Sequence, residues 1–391
     1  KLPRYYAVPE SDGGASSMLE HCDTGGSNVK LSRLERARAV AESYVGSAYP
    51  GYDLLVLKDG CVVFRSFSGH AEVVPEVRPL REDSMFDVAS LTKVLVTSLV
   101  YAKLVEEGLV SLRQKVVEIA PEFGATPAGS SYVKEKVALW MLLSHTSGLP
   151  AWLPLYKTCR SRDEVFEAAL KSFPSYEPGK DVLYSDINYI VLTYVAEKVS
   201  GERIDKLFDS MVARPLNLKR SSFNPLERGF GRDDVVATEV VDWRGGTVVG
   251  VVHDENALAM GGVSGHAGLF TTTLETASIV GEILCAYRGG CNSLISRPTA
   301  TTMLSPWACG EVCYGLGWQV SEPSRGLSPL TDYRFSLLAG HTGFTGTSIL
   351  MVPQESFAVV FYTNRVHPTR ANERIKHVRV LVHNAALSSI S

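Results

Sequence analysis

Phe86-Asp87-Val88-Ala89-Ser90-Leu91-Thr92-Lys93 runs on through Val94-Leu95-Val96-Thr97-Ser98-Leu99-Val100-Tyr101-Ala102 and closes near Gly108. This stretch predicts a short approach followed by a helix that opens near Ser90. Ser90 and Lys93 are one helical turn apart, so a helix puts them on one face. The body of the helix is apolar almost all round, the pattern of a buried helix rather than a surface one. Lys93 then stands at the mouth of a buried element, where its charge is costly unless it is paired or used. A hydroxyl beside a lysine able to lose its proton is a nucleophile beside a base. The competing reading is an N-cap serine with a snorkelling lysine. Ser-x-x-Lys also occurs at Ser27/Lys30 and Ser131/Lys134. The first lies in a polar Gly/Ser segment and the second in a loop, so neither shares the helical context of Ser90.

On the N-terminal side, residues 1–30 read as an irregular arm, and Leu31 to about Tyr49 carries helical spacing. Two strand signals follow, Tyr52–Leu57 and Cys61–Phe67, with Lys58-Asp59-Gly60 as a hairpin turn between them. Beyond the Ser90 helix, residues 110–250 are mostly helical segments and loops. Residues 225–250 are charged and rich in glycine, and read as a long surface excursion. A helix is expected over Leu274–Tyr287. Four strands are expected over Gly315–Val320, Phe335–Ala339, Thr347–Val352 and Phe357–Thr363, then a last helix over Arg370–Ala386. Strands near both ends and helices between them predict an α+β fold: a mostly antiparallel sheet flanked by terminal helices, plus an all-helical domain. The expected division is 31–85 with 255–391 as the sheet domain and 86–254 as the mainly helical domain. Ser90 falls at their seam, where clefts form.

Composition narrows the function. The chain has 391 residues, 45% hydrophobic and 21% charged, with a formal net charge of −3. That suits a globular protein with a full core, and no basic footprint points to nucleic acid. The apolar run at 94–102 is far short of the ~20 residues a spanning helix needs. The seven cysteines are odd in number, lack a Cys-x-x-Cys pair, and read as scattered free thiols. No residue cluster has convincing metal-ligand spacing, and no dinucleotide or phosphate loop is present, so no metal and no cofactor are expected. The missing Gly-x-Ser-x-Gly elbow weakens an α/β-hydrolase. The sequence starts at Lys1 without Met, which leaves both a cytoplasmic protein and an exported one with a removed signal open. Oligomeric state is likewise open.

Three further segments carry candidate chemistry. Tyr184-Ser185-Asp186 precedes an apolar helix; Ser185 or Asp186 reads as its cap, and Tyr184 as a possible acid or base aimed into the cleft. Gly340-His341-Thr342-Gly343-Phe344-Thr345-Gly346 reads as an edge strand whose glycines let backbone approach a substrate. Ser144-His145-Thr146-Ser147-Gly148 reads as a hydrogen-bonded loop with a structural histidine, and His253 and His266 get the same structural reading.

Taken in order, Ser90-Leu-Thr-Lys93, Leu142-Leu-Ser-His-Thr-Ser-Gly-Leu-Pro150, Tyr184-Ser-Asp186 and His341-Thr-Gly343 resemble the serine β-lactamase-related hydrolases. The closest groups are the class C β-lactamases, the penicillin-binding-protein-like D-peptidases and the family VIII carboxylesterases. The resemblance covers about residue 31 to the end. It implies a β-lactamase/transpeptidase-like fold and metal-independent acyl transfer through a serine ester. Residue by residue, it implies Ser90 as nucleophile and Lys93 with Tyr184 as the pair that takes and returns its proton. His341 takes the third-motif basic position, and the N–H groups of Ser90 and Phe344 form the oxyanion hole, with Thr342 and Gly343 beside the substrate. Two positions depart: Asp186 stands where class C β-lactamases have Asn, and His341 where they have Lys. A neutral histidine anchors a β-lactam carboxylate poorly, and Asp186 adds negative charge. The expectation is therefore a small ester, amide or peptide substrate, cleaved by an esterase or D-amino-acid peptidase-like enzyme. The alternatives are a true β-lactamase and a catalytically idle scaffold or sensor of the same fold.

Overall fold

The computed structural model describes residues 28–124, 133–326 and 328–391. Residues 1–27 of the arm expected at 1–30, and with them Ser27, lie outside the described residues, as does Ser131. Strand Gly51–Lys58 pairs on one side with Cys61–Glu72 and on the other with Phe357–Thr363, all antiparallel. The two chain ends thereby join into one nine-stranded sheet. Its order is 78–79, 61–72, 51–58, 357–363, 348–352, 338–342, 319–321, 313–314 and 308–309. The hairpin at 58–61 turns through Asp59 at φ +52° and Gly60 at φ +80°. Both conformations suit the residues that the tight, twist-compatible turn demands.

Because successive strand residues face opposite sides, the first strand feeds two cores. Leu54 and Val56 pack with Leu34 and Ala37 of helix Leu31–Ser43 and with Val378 and Val382 of helix Ile375–Leu387. Leu55 and Leu57 join the core on the other face, which holds helix Thr273–Arg288 and the buried segment after Ser90. The last helix starts later than the pattern predicts, at Ile375, because Arg370 and its neighbours turn back over the cleft instead.

Two expectations need correction. Residues 225–250 are not a free surface excursion. Val235, Val236 and Ala237 are buried, and Val235, Ala237 and Val249 pack with Met85 and Phe270. Strand Val240–Val241 pairs with Gly246–Thr247, and Val240 N–H bonds the carbonyl of Pro368. Paired valines bury apolar area that the charge count of the segment conceals. The cysteines are not scattered free thiols either. Cys285 is bonded to Cys291 and Cys309 to Cys313, Cys61 is also disulfide-bonded, and among the described residues Cys159 alone is free. Spacings of six and four residues bring the thiols together through local turns, a route that a search for paired Cys-x-x-Cys motifs does not see. No helix among the described residues is long and apolar enough to cross a membrane.

Candidate active site

The nucleophile turn is built before the helix begins. Asp87 is buried, and its carboxylate accepts the N–H of Ala89 at 2.8 Å and of His253 at 2.7 Å. These bonds hold Ala89 at φ +47°, an unfavourable conformation for alanine that turns Ser90 toward the cleft. The first helical residues, Leu91 and Thr92, give way to a π-helical turn over Lys93–Thr97 and then to the α-helix Ser98–Glu106. Wide π-turns are rare and tend to mark functional positions. Here the widened turn begins at Lys93.

Lys93 is wholly buried, and its Nζ has three oxygens around it. It donates to Ser90 Oγ at 2.9 Å and to the carbonyl of His266 at 3.1 Å, and lies 2.7 Å from Asp186 Oδ1. The Asp186 contact is an ion pair without the alignment of a hydrogen bond, since Oδ1 has no hydrogen-bond partner. His266 is held in turn by Ser264 Oγ and by Asp254 Oδ1, each at 2.7 Å. His266 therefore stands directly behind Lys93, fixed by its neighbours.

Tyr184 reaches the same point from the loop that leads into helix Asp186–Ser200. Ser185 caps that helix by accepting from Asn188 N–H at 3.1 Å. The Tyr184 ring lies 4.9 Å from Lys93 Nζ, and its hydroxyl faces Ser90. Burial pushes the phenol well above its ordinary range; the charge of Asp186 adds to this, and the polar neighbour Ser90 opposes it. His145 belongs to the site's packing. It is buried against Tyr184 with ring centroids 4.6 Å apart, and its Nδ1 accepts the N–H of Ser185. Burial, then the charge of Lys93, holds its pKa well below the usual histidine value.

His341, Thr342 and Gly343 come in on the strand Leu338–Thr342, which pairs with Ser348–Val352. His341 Nδ1 lies 2.8 Å from the carbonyl of Thr342. A carbonyl only accepts, so Nδ1 carries the proton and Nε2 presents a lone pair. Burial, then the charge of Lys93, lowers the His341 pKa to about 3. The third-motif residue is therefore neutral throughout the working range, more firmly than its sequence predicts. Gly343 is required by space: a Cβ there would stand 2.1 Å from Thr347 Oγ1 and 2.4 Å from the carbonyl oxygen of Val88. The N–H groups of Ser90 and Phe344 donate to no acceptor among the described residues.

These side chains line one cleft of about 450 Å³, which Ser90, Tyr184, Asp186, His341, Thr342 and Phe344 share with Trp152 and Arg370. All the predicted site residues converge here, with one difference in emphasis. Asp186 is not an unpaired charge facing the substrate, because Lys93 neutralises it. The sequence reading missed Asp254, Glu255 and Arg370, which also line the cleft. Arg370 is tied at 2.6 Å to both Glu239 and Glu255. No motif marks these residues, since the start of helix Glu255–Ala259 and the turn before the last helix bring them in from distant positions.

The histidine values give a testable pH dependence. His341 and His383 both have folded pKa values of about 3, against an ordinary 6.5. Between these values the unfolded chain takes up protons that the folded chain does not, so stability falls as pH drops from ~6.5 toward ~3. For the same reason His341 does not titrate between pH 5 and 8. His341→Gln should leave the shape of the kcat/KM–pH profile in that window unchanged while lowering its height. A limb that disappears in the variant would show that His341 titrates in the working range.

A family model described as "Beta-lactamase" matches residues 37–383. A protein of Salmonella typhi named "Putative D-alanyl-D-alanine carboxypeptidase" is 31% identical over 376 residues, covering 88% of this chain and 85% of that one. A protein of the same name from Salmonella schwarzengrund matches to the same extent. Among solved structures, EstCE1, a hydrolase with promiscuous acyltransferase activity, has a TM-score of 0.69 at 20% identity, covering 89% of this chain and 98% of its own. The octameric penicillin-binding protein homologue of Pyrococcus abyssi has a TM-score of 0.68 at 23% identity, covering 92% and 79%. At these identities the structural likeness speaks for the fold.

Proposed function

The chain belongs to the beta-lactamase family, and from that premise we propose a metal-independent serine hydrolase that cleaves ester or amide bonds through an acyl-enzyme on Ser90. The observation that carries this reading is the convergence of Lys93 Nζ and the Tyr184 hydroxyl on Ser90 Oγ at the floor of an open cleft. In the proposed reaction Ser90 Oγ attacks the carbonyl carbon as its proton is taken up by the Lys93–Tyr184 pair. Asp186 stabilises the Lys93 ammonium, as the aspartate of a serine-protease triad stabilises its imidazolium. Tyr184, held as a neutral phenol, gives its proton to the leaving oxygen or nitrogen and is itself reprotonated by the proton the pair took from Ser90. The Ser90 and Phe344 N–H groups hold the developing oxyanion. A water then attacks the ester, and the same groups work in reverse.

The division into a sheet domain, 31–85 with 255–391, and a mainly helical domain, 86–254, is part of this proposal. In its favour, the strands of the large sheet fall within the first set of residues.

The neutral His341 favours esters over β-lactams. A β-lactam carboxylate needs a fixed cation, whereas both cations at the cleft, Lys93 and Arg370, already face carboxylates. Wild type should show a higher kcat/KM for p-nitrophenyl butyrate than for nitrocefin at pH 7. His341→Lys with Asp186→Asn should move the ratio ~10- to 100-fold toward nitrocefin, the scale of one charge-assisted contact. A wild type that prefers nitrocefin would reject the esterase or D-peptidase reading in favour of a β-lactamase. The idle-scaffold alternative predicts turnover of neither substrate.

A further inference from the structure

The loop that carries Phe344 is fastened directly to the turn that carries Ser90. Thr345 Oγ1 donates to the carbonyl of Asp87 at 2.6 Å, and Thr347 Oγ1 donates to the carbonyl of Val88 at 3.1 Å. Both hydroxyls are buried. Their acceptors are the backbone of the two residues before Ala89, and the Thr345 donor is the residue after Phe344. The loop closes on itself through Gly343 N–H to the carbonyl of Thr347 at 2.7 Å, and Arg365 Nε donates to the carbonyl of Phe344 at 2.8 Å. The two N–H groups of the proposed oxyanion hole come from segments some 250 residues apart in sequence. Among the described residues, the two threonine hydroxyls are the side-chain hydrogen bonds that run from one segment to the other.

We propose that Thr345 and Thr347 are positioning residues that set the separation of the Ser90 and Phe344 N–H groups, and hence the fit of the hole to the tetrahedral oxyanion. An oxyanion hole works through donors fixed in advance, so that no reorganisation is needed as charge develops. Without the hydroxyls the loop and the turn are free to part by a fraction of an ångström. Such a shift weakens binding of the transition state more than binding of the substrate. This inference rests on the proposed acyl-enzyme reading.

The test is Thr345→Val and Thr347→Val, which keep the side-chain shape and remove the hydroxyl, with Thr345→Ser as the variant that restores it. Thr345→Val should lower kcat on p-nitrophenyl butyrate ~10- to 100-fold, below the cost of deleting a whole oxyanion donor, with KM within about 3-fold. Affinity for a phenylboronic acid, which forms a tetrahedral adduct on serine, should fall in proportion to kcat/KM. Thr345→Ser should return both to within about 3-fold of wild type. Should Thr345→Val fail to fold, Thr347→Val and Thr345→Ala assayed in the cold carry the same comparison. Wild-type kcat in the folded Val variants, or a loss confined to KM with boronate affinity intact, overturns the proposal. Ser90→Ala is assayed alongside: activity retained there overturns the acyl-enzyme reading itself, whatever the threonine variants do.

Discussion

Ser90→Ala should lower kcat on p-nitrophenyl butyrate by ~10⁵-fold or more, the scale seen when a serine nucleophile is removed from an otherwise intact site. The expectation follows from how little else in the cleft can replace Oγ. Lys93 is buried and committed to Ser90, Asp186 and the carbonyl of His266. Other serines near the site are buried and bonded: Ser264 to His266, Ser185 to the carbonyl of Pro150 and Ser98 to the carbonyl of Lys93. A fluorophosphonate should add one label per chain, and peptide mapping should find it on Ser90. The residual rate of the alanine variant should come from binding and the oxyanion donors, which remain in place. A label mapped to any other serine, with Ser90 clean, would remove the nucleophile from the scheme. So would an alanine variant with more than about a hundredth of wild-type kcat.

How much of this was legible in the sequence differs by element. The Ser90 helix was legible because its apolar run leaves one orientation for the serine and lysine at its mouth. Its π-turn was not, since that widening arises where Ser98 Oγ bonds the carbonyl of Lys93 at 3.0 Å, a contact no periodicity encodes. Joining both chain ends in one sheet was legible from where the strand patterns lie, and strand Phe357–Thr363 matches its expected bounds. The short edge strands at 308–309 and 313–314 lack enough residues to show alternation. The charge state of the site was legible only in outline. The ordinary histidine pKa already makes His341 mostly neutral, while burial beside Lys93 carries it much further. In the sequence Asp186 is an added negative charge, because sequence spacing does not bring position 93 to position 186. The fold does, and the carboxylate then changes from a repeller of anionic substrates to the partner of the lysine.

That partnership shapes the second large effect, on the proton relay. Lys93→Ala and Tyr184→Phe should each lower kcat by ~10²- to 10⁴-fold, the range for positioned acid–base groups. They should not act independently. Lys93 lies 4.9 Å from the Tyr184 ring, and both contact Ser90. With Lys93 gone, the pair no longer takes up the Ser90 proton, and the proton Tyr184 gives to the leaving group is no longer replaced. The double variant should therefore lose little more than the worse single one, as groups that act as a unit do. Removing Lys93 also leaves the half-buried Asp186, whose Oδ1 is shut off from solvent, without its counter-charge. That costs stability, since an unpaired buried charge is worse than none. Lys93→Ala with Asp186→Asn should then melt higher than Lys93→Ala alone, yet remain as inactive. This separates the lysine's role in folding from its role in proton transfer. Multiplicative losses in the Lys93/Tyr184 pair would mean two separate routes for the proton. Recovery of activity together with stability in Lys93→Ala/Asp186→Asn would mean that the lysine matters only for folding.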